Sequence, residues 1–213
     1  MIRFYAIPVS LYCAKLRILL RHKHLKWQEV PPPGGYGSLE YRTIVASGNL
    51  PALIEGDITI ADSEAIAEYL NEKYPSDPML PDDLMLRAKM RERSRFHDTR
   101  LEPEVRALFP HIRPAQRDKE IISQQSEKIA MRLKQFATML SNSKELDGQF
   151  GLGDCGFPVT FVWLEALTPV LGLDVIWPRE VHQYRERINQ VPSVASELEI
   201  YRPLLNKYFK QNA

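Results

Sequence analysis

The feature that most constrains this chain is a change of pattern at Pro75-Ser76-Asp77-Pro78. Before it, short β-rich runs alternate with helical ones, and after it the pattern is almost purely helical. Residues 2–6 are β-rich and lead into Pro8. Residues 11–23 have helical period, with Leu16, Leu19 and Leu20 as the apolar stripe and Lys15, Arg17 and Arg21 on other faces. Trp27–Val30 reads as extended, and Pro31-Pro32-Pro33-Gly34-Gly35 breaks any regular element. Ala52–Glu55 and Ile58–Ile60 flank Gly56-Asp57, a two-residue hairpin signal. Ala65, Ile66, Tyr69 and Leu70 then stripe a helix that ends near Tyr74-Pro75. Strand, helix, strand, loop, hairpin and helix, in that order, imply a small mixed sheet with helical crossovers.

Beyond the boundary, residues 83–108 read as one long helix and 123–140 as another. Residues 158–171 are apolar nearly all round, as a core helix must be. Residues 179–188 and 193–208 supply the last two helices. The expected architecture is an α/β domain over 1–78 joined to an all-α domain over 83–213. Lys and Arg total 28 against 27 acids, so the net charge of +1 gives no general attraction to nucleic acid or to anionic membrane. No run approaches the roughly 18–20 apolar residues of a membrane span. The start, Met-Ile-Arg-Phe-Tyr, is not a secretory signal, and the two cysteines, Cys13 and Cys155, make neither a disulfide framework nor a zinc site. A cytoplasmic protein without a metal is expected.

Three segments of the first half carry chemistry. Ser10-Leu11-Tyr12-Cys13 stands between the first strand and the first helix. Capping alone would explain the serine. The same geometry, a hydroxyl beside a helix N-terminus, also suits donation to a bound anion. In Gly48-Asn49-Leu50-Pro51-Ala52-Leu53 the proline must mark the first residue of a strand. It is an ordinary turn proline or a cis one; a cis turn would expose the backbone of Leu50 to a peptide-like ligand. Asp62-Ser63 opens the helix after the hairpin. It is a cap, or a clamp in which the helix N–H groups and Ser63 hold a carboxylate while Asp62 pairs with an ammonium.

Taken together, these segments resemble the glutathione transferase superfamily, and the resemblance spans essentially the whole chain. It implies a thioredoxin-like N-terminal domain, an all-helical C-terminal domain and a serine-type, bacterial-like cytosolic enzyme. In Ser10-Leu11-Tyr12-Cys13-Ala14-Lys15-Leu16-Arg17, similar to the family's catalytic segment, Ser10 holds the place of the thiol-activating residue and Leu11 lies beside it. Asn49, Leu50 and Pro51 match the cis-proline segment, with Leu50 pairing the cysteinyl backbone of glutathione, and Asp62 and Ser63 match the pair that grips its γ-glutamyl end. The implied reaction is attack of the glutathione thiol on a small electrophile, in a homodimer, as part of detoxification. One departure stands out. The family starts the buried helix of the second domain with a Ser/Thr cap and an Asp, places held here by Pro158 and Phe161.

Within the resemblance, other readings are glutathione-dependent isomerisation, reductive dehalogenation, thiol–disulfide reduction through Cys13, and a non-catalytic glutathione-binding interaction module. In the family a nucleophilic cysteine would occupy the place of Ser10, so Cys13 is read as a buried helix residue and Tyr5 as packing. Arg93, His97 and Arg100 share one helical face. That face would favour an anionic second substrate if it lined the electrophile pocket, and would otherwise be a solvated or dimer-facing basic strip. His22 and His24 lack a matching ligand set and are read as surface residues.

Overall fold

The computed structural model describes residues 1–212, and the chain divides into two compact units, Met1–Met79 and Leu80–Ala213. The first unit carries a four-stranded sheet in the order β2-β1-β3-β4. β1 (Ile2–Tyr5) pairs in parallel with β2 (Trp27–Val30) and antiparallel with β3 (Ala52–Glu55), which pairs antiparallel with β4 (Ile58–Ile60). The parallel pair needs a crossover, supplied by α1 (Leu11–His22). Gly56, with φ of 57°, opens the two-residue turn between β3 and β4, where a side chain would be strained. This is a thioredoxin-like arrangement.

Two features of this unit depart from the sequence pattern. The segment after Gly35 contains a short helix, α2 (Leu39–Ile44), capped by the Ser38 hydroxyl, which accepts the Tyr41 N–H at 3.0 Å. Six residues give too little periodicity to read, but they suffice to bury Tyr41 completely. Lys15 and Arg17 of α1 are not on an outer face. Lys15 is buried against Glu64 at 2.7 Å, and Arg17 is buried against Glu29 at 2.8 Å. α1 is covered on nearly every side, so its charged residues had to find partners. α3 (Ser63–Lys73) follows β4, and buried Lys23 donates to the carbonyls of Ser76 and Asp77 beyond it.

The second unit is helical. α4 (Leu84–Phe96) runs into a π-helical turn, His97–Leu101, and then α5 (Glu102–Arg106), so the expected continuous helix is interrupted and ends early. α6 (Lys119–Ser141), α7 (Phe157–Leu171), α8 (Arg179–Asn189) and α9 (Pro192–Asn212) complete it. Phe136 of α6 stacks on Phe157 of α7 with centroids 4.2 Å apart, and Tyr184 of α8 meets both rings edge-on. Trp163 of α7 donates to the Tyr201 hydroxyl at 2.8 Å. Gly156, before α7, packs so closely that a Cβ there would lie 2.4 Å from the His97 ring. Among the described residues no helix is long and apolar enough to cross a membrane.

Candidate functional site

The sheet register places the three sequence segments at one end of the first unit. Tyr5 pairs with Ala52 and Leu53 with Ile60, so the chain leaves β1, enters β3 and leaves β4 on the same side. The ion pair of Lys15 on α1 with Glu64 in the first turn of α3 ties the N-terminal parts of those two helices together. Ser10, Leu50-Pro51 and Asp62-Ser63 all belong to this end.

Ser10 is the N-cap of α1. Its hydroxyl oxygen accepts the Cys13 N–H at 3.3 Å, and the residue is only half-buried. Capping therefore occupies a lone pair and leaves the O–H as a donor, at the positive end of the helix dipole. Leu11, the first helical residue, is buried. Cys13, fully buried one turn on, has its thiol pushed up by burial, only partly offset by the Ser10 hydroxyl and the Ile7 backbone. An inaccessible thiol held in its neutral form is a packing residue, not a nucleophile.

The Leu50–Pro51 peptide bond is cis. Leu50 lies just outside β3, and its N–H and C=O take no part in a backbone hydrogen bond among the described residues. Beneath it, the Tyr41 hydroxyl donates to the Asn49 carbonyl at 2.8 Å, and the Tyr41 ring meets Tyr5 edge-on at 5.2 Å. Burial above all pushes the Tyr41 phenol up, so it stays a neutral donor. Tyr41 went unnoticed in the sequence because the short helix that carries it did. Tyr5 packs, as its place in the strand suggests.

Asp62 caps α3, accepting the N–H groups of Glu64 and Ala65 at 2.9 Å each through one carboxylate oxygen. The residue is exposed. Ser63 is buried at the helix start, and its hydroxyl makes no hydrogen bond among the described residues. A carboxylate with one oxygen to spare and a hydroxyl at a helix N-terminus can receive the ammonium and carboxylate of an amino acid.

The face carrying Arg93, His97 and Arg100 is different from either expectation. Arg93 is buried and donates to Asp154 at 2.8 Å and to Ser143 at 3.2 Å. His97 is buried between Asp98 and Thr160, 2.7 Å from each. Only Arg100 is exposed. The first two are buried within the helical unit and bonded to its other side chains; the π-turn and the small Gly153 and Gly156 let α4 and the start of α7 approach that closely. Asp154 also accepts the Tyr184 hydroxyl at 2.6 Å and the Gly151 N–H at 2.9 Å. α7 starts without a side-chain cap, with Pro158 in its first turn. Among the described residues no group of three His, Cys, Asp or Glu side chains could hold a metal ion.

A thioredoxin-like unit with these three segments at one sheet end, and a separate helical unit, define the fold of glutathione S-transferases. Residues 4–78 match the family described as glutathione S-transferase, N-terminal domain. Glutathione S-transferase Z2 of Arabidopsis thaliana is 38% identical over 95 residues, which are 40% of this chain and 43% of that protein. The chain spans less than half the length of this relative and of glutathione S-transferase Z1 of the same plant. A stringent starvation protein A homolog of Haemophilus ducreyi is 25% identical over 68% of this chain and 66% of that protein. Among solved structures, glutathione transferase F7 of Populus trichocarpa superposes with a TM-score of 0.78 at 23% identity, covering 94% of this chain and 99% of that one. A glutathione S-transferase of Methylobacterium radiotolerans, in complex with glutathione sulfonate, gives 0.72 at 24% identity, covering 92% and 93%. The fold is that of these structures.

Proposed function

We propose that the chain is a serine-type glutathione transferase, in which Ser10 donates a hydrogen bond to the glutathione sulfur and holds it as thiolate for attack on a small electrophile. The observation that carries this is the half-buried Ser10 hydroxyl at the start of α1, at the same sheet end as the open backbone of Leu50 and the Asp62-Ser63 helix start. Leu50 would pair with the cysteinyl backbone, Asn49 and Pro51 shape that turn, Leu11 backs it, and Asp62 and Ser63 take the γ-glutamyl end. A small thiol titrates near ~8.5, so lowering it two units requires ~2.7 kcal/mol of preferential anion stabilisation. A hydrogen bond to a charged acceptor provides ~1.5–3 kcal/mol, and a helix N-terminus ~0.3–2 more. No separate general base is required.

Glutathione as co-substrate, an electrophilic second substrate and a homodimer belong to this proposal. A bacterial-like affinity gains nothing over a plant one, because the matched proteins come from both. The burial of Cys13 weighs against thiol–disulfide reduction. The Haemophilus ducreyi relative, whose name is not an enzyme's, favours one second reading, a non-catalytic module on the same fold. Retention on immobilised glutathione, followed by an assay with a generic aromatic electrophile, separates the two. Retention with turnover that collapses in Ser10→Ala supports the transferase; retention with no turnover of any electrophile supports the module.

A further inference from the structure

The turn that leads into Ser10 is tied to a side chain further along α1. The buried guanidinium of Arg17, two turns along α1, donates to the Ile7 carbonyl at 3.2 Å and the Pro8 carbonyl at 3.3 Å. Its other N–H groups reach Glu29 of β2 in a bidentate pair, Nε to Oε1 at 2.8 Å and Nη2 to Oε2 at 3.0 Å. The Ile7 carbonyl that receives Arg17 also receives the backbone N–H of Ser10 at 3.2 Å. Arg17 is thus one shared acceptor away from the Ser10 backbone. Glu29 is in turn fixed by its place in β2, opposite Phe4 of β1, and by the Trp27 indole, which donates to it at 3.2 Å.

We propose that Arg17, braced by Glu29, is a positioning residue for Ser10: it fixes the turn between β1 and α1 so that the hydroxyl points at the incoming sulfur. The inference rests on the reading of Ser10 given above. A planar fork with five donors can span two carbonyls and a carboxylate at once; an ammonium is a single point and cannot. The turn contains Pro8, which has no N–H to donate, and the Ser10 N–H bonds the Ile7 carbonyl across it. A displacement of the hydroxyl by a fraction of an ångström weakens a hydrogen bond to sulfur steeply, whereas the backbone of Leu50 and the Asp62-Ser63 helix start, which bind the rest of the tripeptide, lie on other elements. Loosening the clamp should therefore degrade thiolate formation and turnover while leaving glutathione binding largely in place.

The test compares the parent with Arg17→Lys, Glu29→Gln and Ser10→Ala, using glutathione and a generic aromatic electrophile. The ultraviolet absorbance of the bound thiolate gives its pKa, and steady-state kinetics separate kcat from KM. For Arg17→Lys the expected result is a bound-thiol pKa raised by about one unit, a tenfold loss of thiolate at fixed pH, with KM for glutathione changed less than about threefold. Glu29→Gln, which leaves the guanidinium on the carbonyls but slackens its anchor, shifts the pKa the same way by less, and carries the test should Arg17→Lys not fold. A parent-like pKa and kcat in either folded variant, with Ser10→Ala clearly shifted, overturns the positioning role. So does a rise in KM matching the fall in kcat/KM, the mark of general loosening. A parent-like pKa in Ser10→Ala instead overturns the underlying reading of Ser10, and the proposal with it.

Discussion

The two units use the same kinds of side chain to opposite ends. In the first, an acid, two hydroxyls and an open peptide stand at one end of a sheet with hydrogen-bonding capacity to spare: the free oxygen of Asp62, the O–H of Ser10, the hydroxyl of Ser63 and the backbone of Leu50. In the second, an arginine, an aspartate, a tyrosine, a histidine and a threonine are buried and mutually satisfied. Binding needs groups whose partners are still missing, and folding needs groups whose partners have been found. Residue type and spacing do not separate the two cases, but burial with a partner count does.

The sharpest way to break this contrast is to remove Asp154. In Asp154→Ala the buried Arg93 loses its counter-charge and Tyr184 its acceptor, and stability should fall by about 3–5 kcal/mol in denaturant unfolding. A loss below about 1 kcal/mol would mean that the network of the second unit is not structural. Ser10→Ala should do the reverse: turnover falls by about a hundredfold, equivalent to ~2.7 kcal/mol, while the lost cap costs about 1 kcal/mol of stability. Comparable stability losses in the two variants would erase the distinction.

The outline of the first unit was open to sequence reasoning because its signals are local. The hairpin around Gly56-Asp57 and the helix beginning at Ser10-Leu11 depend on turn chemistry and periodicity, and both stand where the pattern puts them. What escaped was set by tertiary partners. Nothing within α1 says that Lys15 and Arg17 meet Glu64 and Glu29, which are 49 and 12 residues away. Nor does the spacing of Arg93 and His97 say that Asp154 and Thr160, 61 and 63 residues on, will enclose them. A helical face read as basic is a solvated strip or an internal clamp according to residues in other elements. The same holds for Tyr41, whose role depends on a carbonyl in the next loop.

Smaller effects sharpen the picture. Tyr41→Phe removes one hydrogen bond to the Asn49 carbonyl, worth about 1 kcal/mol, and should weaken glutathione binding several-fold in calorimetry with little change in kcat. A change confined to kcat would place Tyr41 with Ser10 instead of with the Leu50 turn. The smallest effect is on acid stability. Burial pushes the Glu29 carboxyl up, but the hydrogen bonds and charge of Arg17 outweigh it, and the group is held below its ordinary value. A depressed folded pKa adds stability above the unfolded value, near ~4.3, and that stability is lost as pH falls through the folded value. Because the side chain is 34% exposed, the contribution is screened to about 1 kcal/mol or less. Unfolding midpoints of the parent and Glu29→Gln should therefore differ near neutral pH and converge in acid. A difference that grows in acid would contradict the pairing.

The central claim is that the open end of the first unit holds a tripeptide with its sulfur at Ser10. A crystal structure grown with glutathione examines it directly. The account predicts the sulfur within hydrogen-bond distance of the Ser10 hydroxyl, the cysteinyl backbone against Leu50 and the γ-glutamyl group at Asp62 and Ser63. Glutathione bound with its sulfur turned away from Ser10, or an end of the sheet closed to it, would contradict that account.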